Sequence, residues 1–325
     1  MAPWVPIFTH AIDLELNSRI ISLPVDSQTT STSAPGTRRS SISQPPPFIL
    51  LQLATIGTDG FPHVRTVVYR GFLFNDKTTN SIVITTDKRM QKYHELEIND
   101  RVEINCYLPS RRKQFRLRGR ARLVDSDRKP NIDLLKVGVF HSYGSENEDE
   151  NKTFDDSEEE EDEDTFQIKS PPSNEIKPIV NEVKCVQDEP ICSALVSPGF
   201  ISDHNEEHSN HHHGSYTNLV DIQLKPPTSE EWDTEVRRQW DQLSKQLRHL
   251  FRKPAPLTPL DDQNAKIIDR IRRGVDGKKD EAGFANFSLV VIFVESVDFV
   301  DLEKDRRMVF TKDQYEQWSE QEVCP

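Results

Sequence analysis

Between Phe48 and Val124 the chain alternates strand-length apolar runs with tight turns and leaves room for one helix. Phe48-Ile49-Leu50-Leu51-Gln52-Leu53-Ala54-Thr55-Ile56 is a strand rich in aliphatic residues. Thr58-Asp59-Gly60 follows, and an Asp-Gly pair favours a hairpin because glycine takes the positive φ that a two-residue turn demands. Further strands are read around Val64–Phe74, Ile82–Thr86, Arg101–Tyr107 and Gln114–Val124, the last two joined by the basic turn Ser110-Arg111-Arg112. A helix from about Lys88 to Asn99 offers Met90, Tyr93 and Leu96 for a buried face. Short antiparallel strands with tight turns and one helix argue for a small β-barrel.

The same texture returns near the C-terminus. Thr228-Ser229-Glu230-Glu231 fits a capping box, with hydroxyl and carboxylate three residues apart. Behind it Trp232, Val236, Trp240, Leu243, Leu247 and Leu250 recur at helical spacing, predicting one amphipathic helix that ends before Pro254. Its stripe reads as core packing. Asn286–Val294, Val297–Leu302 and Arg307–Thr311 read as three terminal strands. Met1 to Asn17 reads as an amphipathic helix, and the Ser-, Thr- and Pro-rich stretch from Pro24 to Pro47 as a linker.

Between the two halves the pattern decays. Ser145 to Asp164 holds thirteen acidic residues and one lysine, nearly all of the formal charge of −13, so the folded part is close to neutral. Hydrophobic residues make up 34% of the chain, below the usual globular share, which fits a long unfolded segment. The reading is one domain in two halves. Residues 1–126 hold the N-terminal helix, the linker and the first part of the barrel. Residues 127–216 are an acidic, His-containing insertion expected to be disordered. Residues 217–325 complete the barrel, with the folded core at 46–126 and 217–312. His204, His208, His211, His212 and His213 read as a low-complexity tract rather than a metal site, and Ser157 as a weak candidate for phosphorylation by an acid-directed kinase.

Composition also narrows function. The four cysteines show no metal-ligand pairing and are too few for a disulfide scaffold, and no apolar run suits a signal peptide or a membrane span. The expectation is a soluble cytoplasmic protein, with the nucleus as the other compartment. G-x-G-x-x-G, Walker, G-x-S-x-G and H-E-x-x-H motifs are absent, which removes support for Rossmann, P-loop, esterase and zincin chemistry. The basic run Arg111–Arg120 carries Phe115 as its one aromatic, so it reads as an exposed strand face rather than a platform for nucleic-acid bases.

Chemistry concentrates in two basic clusters at neighbouring strand ends. The first is Arg65-Thr66-Val67-Val68-Tyr69-Arg70, and the second is Thr85-Thr86-Asp87-Lys88-Arg89-Met90-Gln91-Lys92, where a strand gives way to a helix. A third run, Lys113-Gln114-Phe115-Arg116, opens a later strand. Arginine forks, a lysine point charge, threonine hydroxyls and free amides at a helix start are what a phosphorylated cofactor needs. The plainer reading is a basic strand edge that discourages aggregation, with Thr85 and Thr86 serving β-propensity and helix capping.

The order and spacing of these motifs resemble the pyridoxamine 5′-phosphate oxidase-like FMN-binding split barrels, in the branch that starts with an Ala-Pro-Trp helix. The match runs from Ala2-Pro3-Trp4 through Leu53-Ala54-Thr55, Pro62-x-x-Arg65-Thr66-Val67-Val68-x-Arg70-Gly71-Phe72, Thr86-Asp87-x-Arg89-x-x-Lys92, Asn99-x-Arg101 and Gln114-Phe115-Arg116-x-x-Gly119. It resumes at Trp240-x-x-Leu243-Ser244, and at Asn286-Phe287 through Val297-Asp298-Phe299. The resemblance implies a mainly β fold with flanking helices, an antiparallel split β-barrel. It also implies FMN bound at a homodimer interface, and FMN-dependent oxidation or reduction of a small molecule. It puts Arg65 on the FMN phosphate, with Arg70 closing that motif, and assigns the cofactor site to Arg65, Thr66, Val67, Arg70, Thr85, Thr86, Arg89, Lys92 and Gln114, the last bonding the flavin. No catalytic acid or base is assigned. Three departures bear on substrate: Arg70 stands where the vitamin-synthesising oxidases usually carry lysine, Val300 where an aromatic is expected, and Arg306 and Arg307 are the only candidates for the element that holds substrate phosphate. The alternative reading is a non-catalytic flavin-binding or interaction protein that uses its acidic insertion as a docking arm.

Overall fold

The structure is a computed structural model, and it describes residues 1–21, 48–134, 185–200 and 224–325. Strands β1 (Leu50–Ile56) and β2 (Pro62–Val68) form the expected hairpin, with Leu50 opposite Val68 and Ile56 opposite Pro62. Gly60 takes a φ of 81°, which explains the Asp-Gly signal. Then come β3 (Ser81–Asp87), α2 (Gln91–Ile98), β4 (Arg101–Leu108) and β5 (Lys113–Val124), after an N-terminal α1 (Trp4–Ile21). The short parallel pair β6 (Ile132–Asp133) and β7 (Ile191–Cys192) lies apart from the main sheet. The C-terminal part supplies α3 (Ser229–Asp241), α4 (Lys245–Leu250), α5 (Asp262–Arg272), β8 (Phe287–Asp301), β9 (Arg306–Lys312) and β10 (Trp318–Val323).

The main sheet is antiparallel, with the path β10-β9-β8-β5-β4-β1-β2 and β3 on the other side of β8. It curls almost into a closed barrel. No ladder joins β2 to β3; they meet past the end of β2. There Arg70 N donates to Val83 O, Val83 N donates to Gly71 O, both at 3.0 Å, and Phe72 bridges Ile82. This split places Arg70 beside β3. Gly119 marks the tightest strand approach, because a Cβ there would lie 2.0 Å from the Phe293 carbonyl oxygen. The ladder shifts register at the same point, between Arg118 and Gly119.

The first half of β8, Phe287 to Val294, is buried on both faces, which is why its sequence there is nearly continuously apolar, whereas the second half alternates. Val290, Ile292 and Val294 face the barrel interior, where Trp4 and Phe8 of α1 pack with Leu53, Ile104 and Phe115. Leu289, Val291 and Phe293 face a second core built on Trp232, Val236 and Trp240 of α3. Truncating either buried tryptophan of α3 to alanine removes a contact worth about 3–5 kcal/mol. The capping box is present: Thr228 accepts from Glu231 N while the Glu231 carboxylate accepts from Thr228 N.

Several elements differ from the sequence reading. The stripe from Trp232 to Leu250 is two helices, because Ser244 caps a second one by accepting from Leu247 N. The two strands expected at Asn286–Val294 and Val297–Leu302 are one, β8. Helix α5 and strand β10 were not anticipated. Inside the stretch read as insertion, 127–134 and 185–200 pack on the core. Buried Gln187 accepts from Leu123 N and donates to Leu96 O, each at 2.7 Å, and Ile191 and Leu195 join the second core. The acidic run, the histidine tract and the Pro24–Pro47 linker lie outside the described residues.

Candidate functional site

The two basic clusters line one cavity of about 580 Å³. One wall is the C-terminal end of β2, with Thr66, Val67 and Val68, and continues to Arg70 at the split. The second comprises the end of β3 and the start of α2, with Thr85, Thr86, Asp87, Met90 and Lys92. The third wall runs from Leu243 through α4 to α5 and contributes Leu247, Leu250, Leu260 and Ile268, with Lys253 as its cation. That wall was missed in the sequence. Its leucines were read as core stripe, and nothing in the short α5 pattern pointed to a site.

Three cations in this cavity, Arg70, Lys92 and Lys253, have no anionic partner among the described residues, and Lys92 is the most buried of them. Arg70 Nε is buried without a hydrogen-bond acceptor, and burial lowers the pKa of its guanidinium. Lys92 is buried, and among the described residues its ammonium donates to Met90 Sδ, at 2.8 Å. Its pKa falls to about 8, first through burial and then through the nearby charge of Arg65, against an opposing pull from Asp87 and Glu95. A buried ammonium and a half-buried guanidinium left unpaired are costly, and a phosphate dianion relieves both. Thr66, Thr85 and Thr86 line the same space.

Six of the nine residues assigned from sequence therefore meet in the cavity: Thr66, Val67, Arg70, Thr85, Thr86 and Lys92. The other three do not line it. Arg65 lies on the opposite face of β2 from Thr66, because side chains alternate along a strand. There it donates to Glu95 Oε2 at 2.9 Å, to Thr55 Oγ1 and to His63 O. Glu95 also accepts from Thr55 and His63; burial opposes its ionisation, but these bonds and the charge of Arg65 hold its pKa below the ordinary value. Arg89 forms a fork on Asp87, with Nε to Oδ1 at 2.9 Å and NH2 to Oδ2 at 2.6 Å. It also donates to the carbonyls of Lys253 and Phe251. Gln114 sits on β5 between Tyr107 of β4 and Val300 of β8.

Comparison with known proteins identifies the family. A family model described as pyridoxamine 5′-phosphate oxidase, FMN-binding domain, matches residues 1–125. An uncharacterized protein of Saccharomyces cerevisiae is 31% identical over 302 residues, covering 86% of this chain and 93% of that protein. Pyridoxine/pyridoxamine 5′-phosphate oxidase 2 of Arabidopsis thaliana is 41% identical over 87 residues, 27% of this chain and 41% of that protein. The chain belongs to the pyridoxamine 5′-phosphate oxidase-like FMN-binding family. FMN is its cofactor. Among solved structures, a pyridoxamine 5′-phosphate oxidase-related FMN-binding protein of Nostoc punctiforme has the same fold, with a TM-score of 0.51 at 18% identity over 100% of this chain and 99% of that one. The third wall of the cavity, from Leu243 to Ile268, lies beyond the residues that the family model matches.

Proposed function

We propose that the protein holds FMN in this cavity, as a homodimer, and uses it for oxidation or reduction of a small molecule. The observation that carries the reading is the pair Arg70, half-buried with its Nε unpaired, and Lys92, buried, both without anionic partners among the described residues and beside three threonines. They would hold the phosphate. Bound FMN supplies the hydride chemistry, and the chain supplies position, charge and shielding from water. Members of this family are commonly dimeric. Gln114 lies off the cavity of its own chain, and in a dimer it would approach the cofactor of the second copy.

The substrate we infer is not a vitamin B6 phosphate. Arg306 and Arg307, the candidates for a substrate-phosphate site, are both taken by carboxylates. Arg306 forks onto Glu322 at 2.6 and 3.0 Å, and Arg307 onto Asp298 at 2.9 and 2.7 Å. Lys113, the next cation on that side, is paired with Asp301. The test is direct: purified protein should be yellow, release FMN rather than riboflavin on denaturation, and sediment as a dimer. Colourless protein that takes up no FMN on reconstitution would overturn the reading.

A further inference from the structure

Granting that FMN occupies the cavity, the third wall needs a role of its own. It is an aliphatic surface across the cavity from buried Lys92 and half-buried Arg70, and it is incompletely covered. Leu250 is 47% exposed and Leu260 is 74% exposed, although both line the cavity. Ile268 is half-buried beside them. Two leucines and an isoleucine turned toward a cavity and left partly in water gain from an apolar ligand, at about 25 cal/mol for each Å² covered. An FMN molecule whose phosphate lies against Arg70 and Lys92 has such a surface in its isoalloxazine ring.

We propose that the segment from α4 to α5 is a roof over the cofactor, made by the same chain that binds the phosphate, and that its leucines pack on the apolar part of FMN. The roof is fastened where the sequence suggested a phosphate contact. Arg89 donates to Lys253 O at 2.8 Å and to Phe251 O at 3.1 Å, and Asn286 Nδ2 donates to Phe251 O at 2.8 Å. The rest of the Arg89 fork is occupied by Asp87, a carboxylate on the cavity wall. Arg89 is thus a positioning residue. It neutralises Asp87, the carboxylate on the cavity wall beside the phosphate-binding cations, and ties the roof to the turn after β3. Phe251 anchors the roof from below, packed edge-on against Trp240 and Phe287.

The distinguishing measurement is the ratio of FMN to riboflavin affinity, read by flavin fluorescence titration of the full-length apoprotein. Riboflavin carries the ring but no phosphate. Leu250→Ser with Leu260→Ser changes two partly exposed side chains, so the fold should persist, which the melting temperature of the apoprotein checks. This variant should weaken FMN and riboflavin by the same factor, about ten-fold or more. It should also expose bound flavin to quenching by iodide. The charge-neutral pair Asp87→Ala with Arg89→Ala should behave alike. Arg70→Ala and Lys92→Ala should instead weaken FMN and leave riboflavin unchanged. If the leucine variant binds both flavins as wild type does and iodide access is unaltered, while the cation variants still lose FMN, the roof does not cover the cofactor. If the cation variants also bind FMN normally, the site itself is misplaced.

Discussion

Replacing Lys92 with methionine should make the cofactor-free protein more stable and its hold on FMN weaker. The magnitude follows from the ammonium's surroundings. In the folded chain its pKa is about 8 against an ordinary 10.5, a depression of about 2.5 units caused first by burial and then by Arg65. Each unit is worth about 1.4 kcal/mol, so the charged form costs the fold about 3 kcal/mol. The sign runs with pH. Below 8 the lysine is charged in both states and the full cost is present. Between 8 and 10.5 the unfolded chain keeps a proton that the folded chain has lost, so stability rises with pH by about 1.4 kcal/mol per unit. Above pH 10 other groups intervene. The hydroxyls of Tyr69 and Tyr93 have raised pKa values, mainly through burial, and ionise more readily in the unfolded chain, which lowers stability there. Urea denaturation of apoprotein at half-unit steps from pH 7 to 10 therefore isolates Lys92. Wild type should gain about 2–3 kcal/mol across that range, Lys92→Met should stay comparatively flat, and the variant should lead at pH 7. FMN affinity of Lys92→Met should fall about ten-fold or more at pH 7. A wild-type curve as flat as that of the variant, or a variant less stable at pH 7, would refute the reasoning.

Arg70→Ala should raise the Kd for FMN about ten-fold or more by removing one charge-assisted phosphate contact, measured by flavin fluorescence titration. Aerobic turnover of pyridoxine 5′-phosphate by holoprotein, followed by absorbance, should be weak or absent, because Arg306 and Arg307 are committed to Glu322 and Asp298. Replacing residues 135–184 with a Gly-Ser linker of about a dozen residues, long enough at ~3.3 Å each to reconnect the chain, should leave flavin content and melting temperature nearly unchanged. Extending that deletion through Phe200 should destabilise the protein by several kcal/mol, since it strips the partners of Leu123 N and Leu96 O and empties the Ile191 and Leu195 positions.

Much of the fold was legible because its signals are local. Asp59-Gly60 needs one positive φ, and Thr228 with Glu231 needs one helical turn. The missed elements lack a local signal. The leucine stripe runs through Ser244 without a change of period, and only the hydroxyl accepting from Leu247 N divides it into α3 and α4. Strand β10 reads Trp-Ser-Glu-Gln-Glu-Val, and its polar residues are exposed, so an edge strand held by ladder bonds to β9 showed no alternation. Gln187 looked like one more polar residue in a polar stretch. Its two buried backbone partners are 64 and 91 residues away.

The candidate site divides along the same line. Sequence identified the cations but not their partners, and partners decide which cations are available. Arg65, Arg70, Arg89 and Lys92 are equivalent as residue types within two motifs. In the fold, Glu95 from α2 takes Arg65, and Asp87 takes Arg89. Of these four Arg70 and Lys92 remain, and together they match the charge of one phosphate dianion, with Lys253 a further cation on the third wall. Leaving all four unpaired would place several like charges in a partly buried space, and the pKa of Lys92, depressed first by burial, is lowered further by one such neighbour, Arg65. Glu95 and Asp87 therefore belong to the anion site as counter-charges. They limit its positive charge to what a phosphate can satisfy, and they use the surplus arginines to fix the first strand hairpin to α2 and the roof to the turn after β3.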